Sequence, residues 1–152
     1  MTLLPKTSSF SIAHLTEEIQ VEDLIHLVAG VPIFKNLEEH ILKAFAPAIQ
    51  RYLFPPGEFI IQHGDLIHEL FVIRRGVCQI YHPEHASMVI GELHPGMYFG
   101  EIGFLFNKNE IVSVKTVTHC EVLTIPRPEF DKAVAGVRWF SHQMTVSYLH
   151  IV

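Results

Sequence analysis

The feature that most constrains this chain is the regular interruption of short apolar runs by turn residues between Arg51 and Ile125. Short strands at such a turn spacing are typical of a β-sandwich or barrel. In one stretch, Val112, Val114 and Thr116 alternate with Ser113 and Lys115, so one strand face is predicted to be core and the other wet or ligand-facing. The turn signals are Pro55-Pro56-Gly57, His63-Gly64-Asp65, Arg75-Gly76, His82-Pro83 and Pro95-Gly96.

Helical patterns precede the β region. From Thr16, apolar residues recur three and four positions apart, and Gly30 and Pro32 end this first predicted helix. A second helix is predicted to open at Asn36 as N-cap, with Glu39 three residues later as in a capping box. Pro47 is expected to end or kink that helix, since proline lacks the amide hydrogen and clashes with the preceding turn.

Helical character returns at Pro128, after the β region. Phe130, Ala133, Val134 and Val137 form one apolar stripe along the predicted helix. Large apolar residues continue beyond it, and such a group marks either packing on the barrel mouth or an interaction surface. They are Trp139, Phe140, Met144 and Leu149.

Composition narrows the class of protein. A chain of 152 residues fits one domain, and an apolar share of 49% with a charged share of 18% excludes disorder for most of it. The net charge of −5 argues against nucleic acid as a partner. Two cysteines make no disulfide framework and suit a reducing compartment. The longest apolar stretch, Leu24 to Phe34, is too short to span a bilayer, and residues 1–9 lack the apolar segment of a signal peptide.

One segment carries candidate chemistry, the run from Met97 to Leu105. There a strand is predicted to enter Gly100, then Glu101, then a short apolar helical turn. Gly100 permits a positive φ or a close backbone approach, and Gly103 keeps the turn slim. Amides at the start of a short helix can hold an anion such as phosphate, while the carboxylate can accept hydrogen bonds from a sugar hydroxyl.

In this context the chain resembles the cyclic nucleotide-binding domain family over about Val31 to Val134. The resemblance implies a mainly β fold, a jelly-roll barrel at roughly residues 50–126 with flanking helices, a phosphate-binding cassette and a C-terminal lid helix. The residues that carry it are Val31-Pro32-Ile33-Phe34, Pro56-Gly57-Glu58 with Ile60-Ile61, Gly64-Asp65, Leu70-Phe71-Val72-Ile73 with Gly76, Phe99-Gly100-Glu101, and Thr118 to Leu123.

The cassette departs from the family pattern, which places Arg, then Thr or Ser, then Ala after the Gly-Glu turn. The matching positions are Glu110, Ile111 and Val112, so an anion replaces the cation that would pair with a cyclic phosphate. Binding of cyclic AMP or cyclic GMP is therefore predicted to be weak or lost, unless Lys108 substitutes in part. The predicted lining is Phe99, Gly100, Glu101, Ile102 and Gly103, with Glu110, Ile111 and Val112 opposite.

Within the family, this cassette resembles that of plant-type voltage-gated potassium channels and other cyclic nucleotide-regulated cation channels. The resemblance implies a non-catalytic regulatory domain on the cytosolic side of a larger membrane protein, whose membrane domain is its partner. Homo-oligomers, a scaffold that has lost nucleotide binding, and a domain of an ion exchanger stay open as alternatives. We expect a lead-in with a linker-type helix at residues 1–30, the binding domain at 31–137, and a truncated lid segment at 138–152.

Three other functions fit less well. A metal site or cupin-like enzyme needs three or four converging ligands, whereas His82-Pro83-Glu84-His85 has the composition of a solvated turn. Neither a metal nor a cofactor is predicted, and Cys78 is predicted to be a small core hydrophobe rather than a nucleophile. A transcription factor needs a helix-turn-helix after the lid, and a kinase regulatory subunit needs paired arginines before the barrel, where residues 1–30 hold none.

Overall fold

The computed structural model describes residues 19–85 and 87–135. Helices α1 (Val21–Ala29) and α2 (Glu39–Phe45) precede the strands, α3 (Glu101–Phe106) lies between the sixth and seventh strands, and α4 (Arg127–Val134) follows them. Short 3-10 turns occupy Pro32–Phe34 and Ala46–Ala48. The strands are β1 (Gln50–Phe54), β2 (Phe59–Ile61), β3 (Glu69–Arg75), β4 (Cys78–Tyr81), β5 (Val89–Leu93), β6 (Tyr98–Phe99), β7 (Ser113–Thr116) and β8 (Cys120–Pro126).

The strands form two antiparallel four-stranded sheets. The first has the order β1-β8-β3-β6 and the second the order β2-β7-β4-β5. These sheets face each other across a core that includes Phe71, Ile73 and Val122 from the first sheet and Cys78 and Val114 from the second. The predicted mainly β jelly-roll fold is confirmed.

The central strands of the first sheet, β3 and β8, are buried on both faces. On strand β3, Phe71 and Ile73 point toward the second sheet, whereas Leu70 and Val72 join a separate core with the helices. This arrangement explains why the sequence of β3 is a continuous apolar run, since a strand covered on both sides needs apolar residues at every position. The helix-side core also contains Phe34, Phe45, Phe104, Phe130, Leu123 and Ile125.

The helix starts differ from those predicted. Helix α1 begins at Val21 after an extended Gln20, and α2 begins at Glu39 rather than after an N-cap at Asn36. No side-chain cap bond forms at α2, because the chain leaves the 3-10 turn through a further turn in which the Leu37 N–H donates to the Phe34 carbonyl. The prediction at the other end is correct, since the helix stops at Phe45, just before Pro47.

The lid segment predicted at 138–152, with its large apolar residues, lies outside the described residues, as do positions 1–18 of the lead-in. Within the described ranges, no helix has the length and apolar character needed to cross a membrane.

Candidate functional site

The cassette turn between β6 and α3 depends on Gly100. Its φ of +86° lies in the left-handed region, which strongly favours glycine. A Cβ at this position would lie 2.8 Å from the Phe71 ring and 3.0 Å from the Glu69 carbonyl. The ring of Phe99 stacks on Phe71, with centroids 4.9 Å apart, so the turn rests directly on the core between the sheets. The sequence prediction of a close backbone approach at Gly100 is correct.

A second turn, at Gly64 and Asp65, positions Glu110. The Gly64 N–H donates to the Glu110 carbonyl over 2.7 Å, and the Glu110 N–H donates to the Asp65 carbonyl over 2.7 Å. The side-chain amide of Asn109 also donates to the Gly64 carbonyl, over 2.8 Å. The backbone of Glu110 is therefore fixed from two sides, and its side chain enters the protein at a defined place.

Seven of the eight predicted site residues line one cavity of about 260 Å³. They are Phe99, Gly100, Glu101, Ile102, Glu110, Ile111 and Val112. Gly103 is the exception, because it is buried behind the cavity wall. The volume is slightly below the range of about 300–1,000 Å³ that is usual for small-molecule pockets. The ligand-binding role of these residues stays a prediction.

The cavity is also lined by apolar residues that the sequence did not predict as part of the site. Their alternation along the strands is the signal that could have found them, since every second residue of a half-buried strand shares a face. Val114, for example, follows Val112 at this spacing. The additional lining residues are Ile61, Ile80, Ile90, Leu93, Tyr98 and Val114.

The side chain of Glu110 turns inward and contacts the cassette. Its Oε2 atom accepts a hydrogen bond of 2.8 Å from the Gly103 N–H, and only 3% of the residue is exposed. A Cβ at Gly103 would lie 2.8 Å from the same Oε2 atom and 2.0 Å from the Ile67 carbonyl oxygen. Gly103 therefore leaves the space that the Glu110 carboxylate occupies, and the two residues form one packed unit.

The ionisable side chains that the structure describes in the cavity wall are acidic. Among residues 19–85 and 87–135, the cavity lining includes two carboxyl groups and no lysine or arginine. Burial raises the pKa of Glu110 to about 7; the hydrogen bond from Gly103 opposes this shift, and the negative charges of Glu101 and Asp65 add to it. Burial also raises the pKa of Glu101. Lys108, considered as a substitute cation, is exposed and absent from the cavity lining.

The raised pKa of Glu110 predicts a pH-dependent stability that the change Glu110→Gln should remove. A raised carboxyl pKa means that the folded state holds the proton more tightly, so this stabilisation is complete below the unfolded pKa of about 4.5 and is lost as the pH rises through about 7. Glutamine keeps an acceptor for the Gly103 N–H and carries no charge. We expect the free energy of unfolding of the variant to exceed that of the wild type by on the order of 2 kcal/mol at pH 8.

Urea unfolding at several values from about pH 5 to about pH 8 tests this prediction. The difference in the free energy of unfolding between the variant and the wild type should increase as the pH rises. Glu84→Gln is the matched control, because it makes the same chemical change at an exposed position. If the stability difference between the wild type and Glu110→Gln stays constant over the whole pH range, the claim that Glu110 is a buried carboxyl with a raised pKa is wrong.

Helix α4 is attached to the cassette. The Arg127 guanidinium donates from Nη1 to the Phe104 carbonyl and lies 5.5 Å from the centre of the Phe104 ring. The ring of Phe130 lies 5.3 Å from that of Phe104, and also contacts Phe34 and Phe45 at 5.4 and 5.5 Å between centroids. One aromatic side chain of α4 thus contacts both the cassette helix and the segment that precedes the strands.

The histidine-rich turn does not assemble a metal site in the part of the chain that the structure describes. The rings of His82 and His85 lie 4.9 Å apart, but within these residues no three His, Cys, Asp or Glu side chains come together in a group able to hold a metal ion.

Comparisons with known proteins agree with this geometry. The family model described as "Cyclic nucleotide-binding domain" matches residues 52–136. The potassium/sodium hyperpolarization-activated cyclic nucleotide-gated channel 2 of Mus musculus is 28% identical over 120 residues, covering 79% of this chain and 14% of the channel. Channel 1 of Homo sapiens is also 28% identical, and there the match covers 79% of this chain and 13% of the channel. The chain therefore spans about a seventh of the length of these relatives.

Solved structures show the same fold. A co-crystal structure of the regulatory domain of Toxoplasma gondii PKA with cAMP superimposes with a TM-score of 0.69 at 24% identity, covering 78% of this chain and 46% of that one. A cyclic nucleotide-binding-like protein from Brucella abortus gives a TM-score of 0.66 at 21% identity, covering 74% of this chain and 98% of that one. At these identities the likeness concerns the fold alone.

Proposed function

Because the chain belongs to the cyclic nucleotide-binding domain family, we propose that it is a non-catalytic regulatory domain with weak or lost nucleotide binding, on the cytosolic side of a cation channel. The relatives named as cyclic nucleotide-gated channels, each matched over 79% of this chain, support the channel as parent. The partner of the domain is then the channel's own membrane domain, and cyclic AMP or cyclic GMP is the ligand to test first.

The observation that carries the proposal is the buried carboxylate of Glu110 in the cavity wall. The family pattern places an arginine at this position, where it pairs with the cyclic phosphate. A charge-assisted hydrogen bond contributes roughly 1.5–3 kcal/mol, and a carboxylate in its place adds repulsion. Together these effects weaken binding by about a thousandfold, since roughly 1.4 kcal/mol is a factor of ten.

The second part of the proposal is that α4 transmits the state of the cavity. Glu101 and Ile102 line the cavity from helix α3, and Phe104 of the same helix packs on Phe130. A ligand that moves α3 shifts the position of Phe130, and Phe130 contacts Phe34 and Phe45. A change in the cavity would therefore reach the residues before the barrel, on the side where a channel's linker helices would attach.

Isothermal titration calorimetry with cyclic AMP and cyclic GMP tests the binding part. We expect little heat even at about millimolar ligand, because the part of the cavity wall that the structure describes holds no lysine or arginine to pair with the phosphate. Thermal unfolding of the same sample, which should be cooperative and unchanged by nucleotide, shows whether the protein is folded and whether a ligand binds without heat. A dissociation constant of a few micromolar or better would refute weak binding.

A further inference from the structure

The only two cysteines of the chain lie in contact in the core between the sheets. The Sγ atoms of Cys78 and Cys120 are 3.7 Å apart, and both residues are fully buried. Cys78 opens strand β4 of the second sheet, and Cys120 opens strand β8 of the first sheet. A covalent bond between them would join the two sheets.

We propose that Cys78 and Cys120 are a modification site that a peroxide converts into an intramolecular disulfide. A disulfide has an S–S length of about 2.0 Å, so the sulfur atoms must approach each other by about 1.7 Å from their present 3.7 Å. Rotation of the two side chains can supply such a movement. The proposal concerns the core between the sheets and is independent of nucleotide binding.

The surroundings make Cys120 the attacking sulfur. The hydrogen bond from the Cys78 thiol is the main reason that the pKa of Cys120 is lowered to about 7, while the bond to Cys120 and burial raise the pKa of Cys78. The Cys120 thiol itself donates to the Val77 carbonyl over 3.3 Å and to the Thr118 carbonyl over 3.4 Å, and Thr118 Oγ1 lies 3.9 Å from the Cys120 sulfur. The thiolate is the reactive form of cysteine, so the first step belongs to Cys120.

The reaction balances with one molecule of hydrogen peroxide. The Cys120 thiolate attacks one peroxide oxygen, the O–O bond breaks, and a sulfenic acid and hydroxide form. The Cys78 sulfur then attacks the Cys120 sulfur, the S–O bond breaks, and the departing hydroxide takes the Cys78 proton to give water. In total, two thiols are oxidised to one disulfide, and the peroxide is reduced to two waters.

Access to the pair is through the turns that cover it. Cys78 and Cys120 follow directly on two turns held together by hydrogen bonds, from the Val77 N–H to Thr118 Oγ1 over 3.0 Å and from the Val117 N–H to the Val77 carbonyl over 2.9 Å. Residues 117–119 are exposed. We infer that local opening of these turns, which are held by few hydrogen bonds, admits peroxide to Cys120 while the sheets stay folded.

The cross-link would enclose the cassette. The two cysteines are 42 positions apart in sequence, and the segment between them includes β5, β6, α3 and β7, and thus most of the residues that line the cavity. A disulfide across this segment restricts the unfolded chain, so the oxidised protein is expected to unfold at a higher denaturant concentration than the reduced protein.

The test treats the folded full chain with hydrogen peroxide and counts thiols by maleimide labelling after denaturation. We expect the loss of both reactive thiols and of two hydrogen atoms from the intact mass of the single chain, with full recovery on dithiothreitol treatment and no disulfide-linked dimer. Peptide mapping should find Cys78 joined to Cys120. Two thiols that still react with maleimide after peroxide treatment and denaturation, or a disulfide that forms only between chains, would overturn the proposal.

The variant Cys78→Ala tests the order of the steps. Without the resolving thiol, we expect the sulfenic acid to persist on Cys120, where dimedone adds to it; Cys120→Ala should leave Cys78 unmodified under the same treatment. Dimedone on Cys78 in place of Cys120 would overturn the assignment of the attacking sulfur. If either variant fails to fold, the mass and thiol count of the wild type decide the proposal alone.

Discussion

Replacing Phe130 with alanine is expected to lower the free energy of unfolding by about 3–5 kcal/mol. The ring is fully buried and packs against three other aromatic rings, those of Phe34, Phe45 and Phe104, with centroids 5.3–5.5 Å away. Alanine removes the apolar surface and leaves a cavity that the three remaining rings, held by three separate segments, cannot readily fill. Urea unfolding at neutral pH measures the loss directly.

Phe130→Leu is the matched control, because leucine keeps an apolar side chain of nearly the same reach and should cost clearly less. The alanine change should also separate α4 from the cassette, which hydrogen exchange at the α4 amides would detect as faster exchange. A loss below about 1 kcal/mol, without faster exchange in α4, would show that Phe130 does not hold the helix to the domain.

The double change Glu110→Arg with Ile111→Thr is expected to strengthen binding of cyclic AMP by at least tenfold, and by up to about a thousandfold. It replaces the buried carboxylate by a bidentate donor suited to phosphate and adds a hydroxyl beside it. Ile111 is 57% exposed, so its replacement by threonine removes little packing. Calorimetry on the wild type and the variant gives the ratio of the two dissociation constants.

Two single changes separate the contributions. Glu110→Gln removes the repelling charge without supplying a cation, and it should recover only part of the gain. Ile111→Thr alone leaves the carboxylate in place, and it should bind as weakly as the wild type. Unchanged binding in a double variant that unfolds cooperatively would mean that the shape of the cassette, and not only its charge, opposes the phosphate.

The sequence predicted the parts of the fold that depend on local patterns. Turn residues at Gly64 and Gly100 mark places where the backbone needs a positive φ, and both positions have it. The alternation of Val112 and Val114 predicted a strand with one buried face, and strand β7 shows that alternation of burial. The N-cap at Asn36 was wrong because a preceding 3-10 turn and the burial of Leu37 delay the helix.

The site could be predicted only in part, because its energetics depend on contacts between distant segments. The sequence predicted that Glu110 lies opposite the cassette glycines. It did not predict that the Glu110 carboxylate accepts a hydrogen bond from the Gly103 N–H. The sequence also predicted that Cys78 is buried. It did not predict that Cys78 contacts the thiol of Cys120, which is 42 positions away. No local pattern encodes such a neighbour, since it arises from the packing of one sheet on the other.

The burial of strand β3 on both faces has a consequence for how this domain can change over evolutionary time. Along β3, Phe71 contributes to the support of the cassette turn, while the next residue, Val72, contributes to the support of the helices. Adjacent positions of one strand therefore serve two separate tasks, one supporting the cassette turn and one packing against the helices. Substitutions can alter either task alone, so a lineage can lose its ligand while the helical face stays intact.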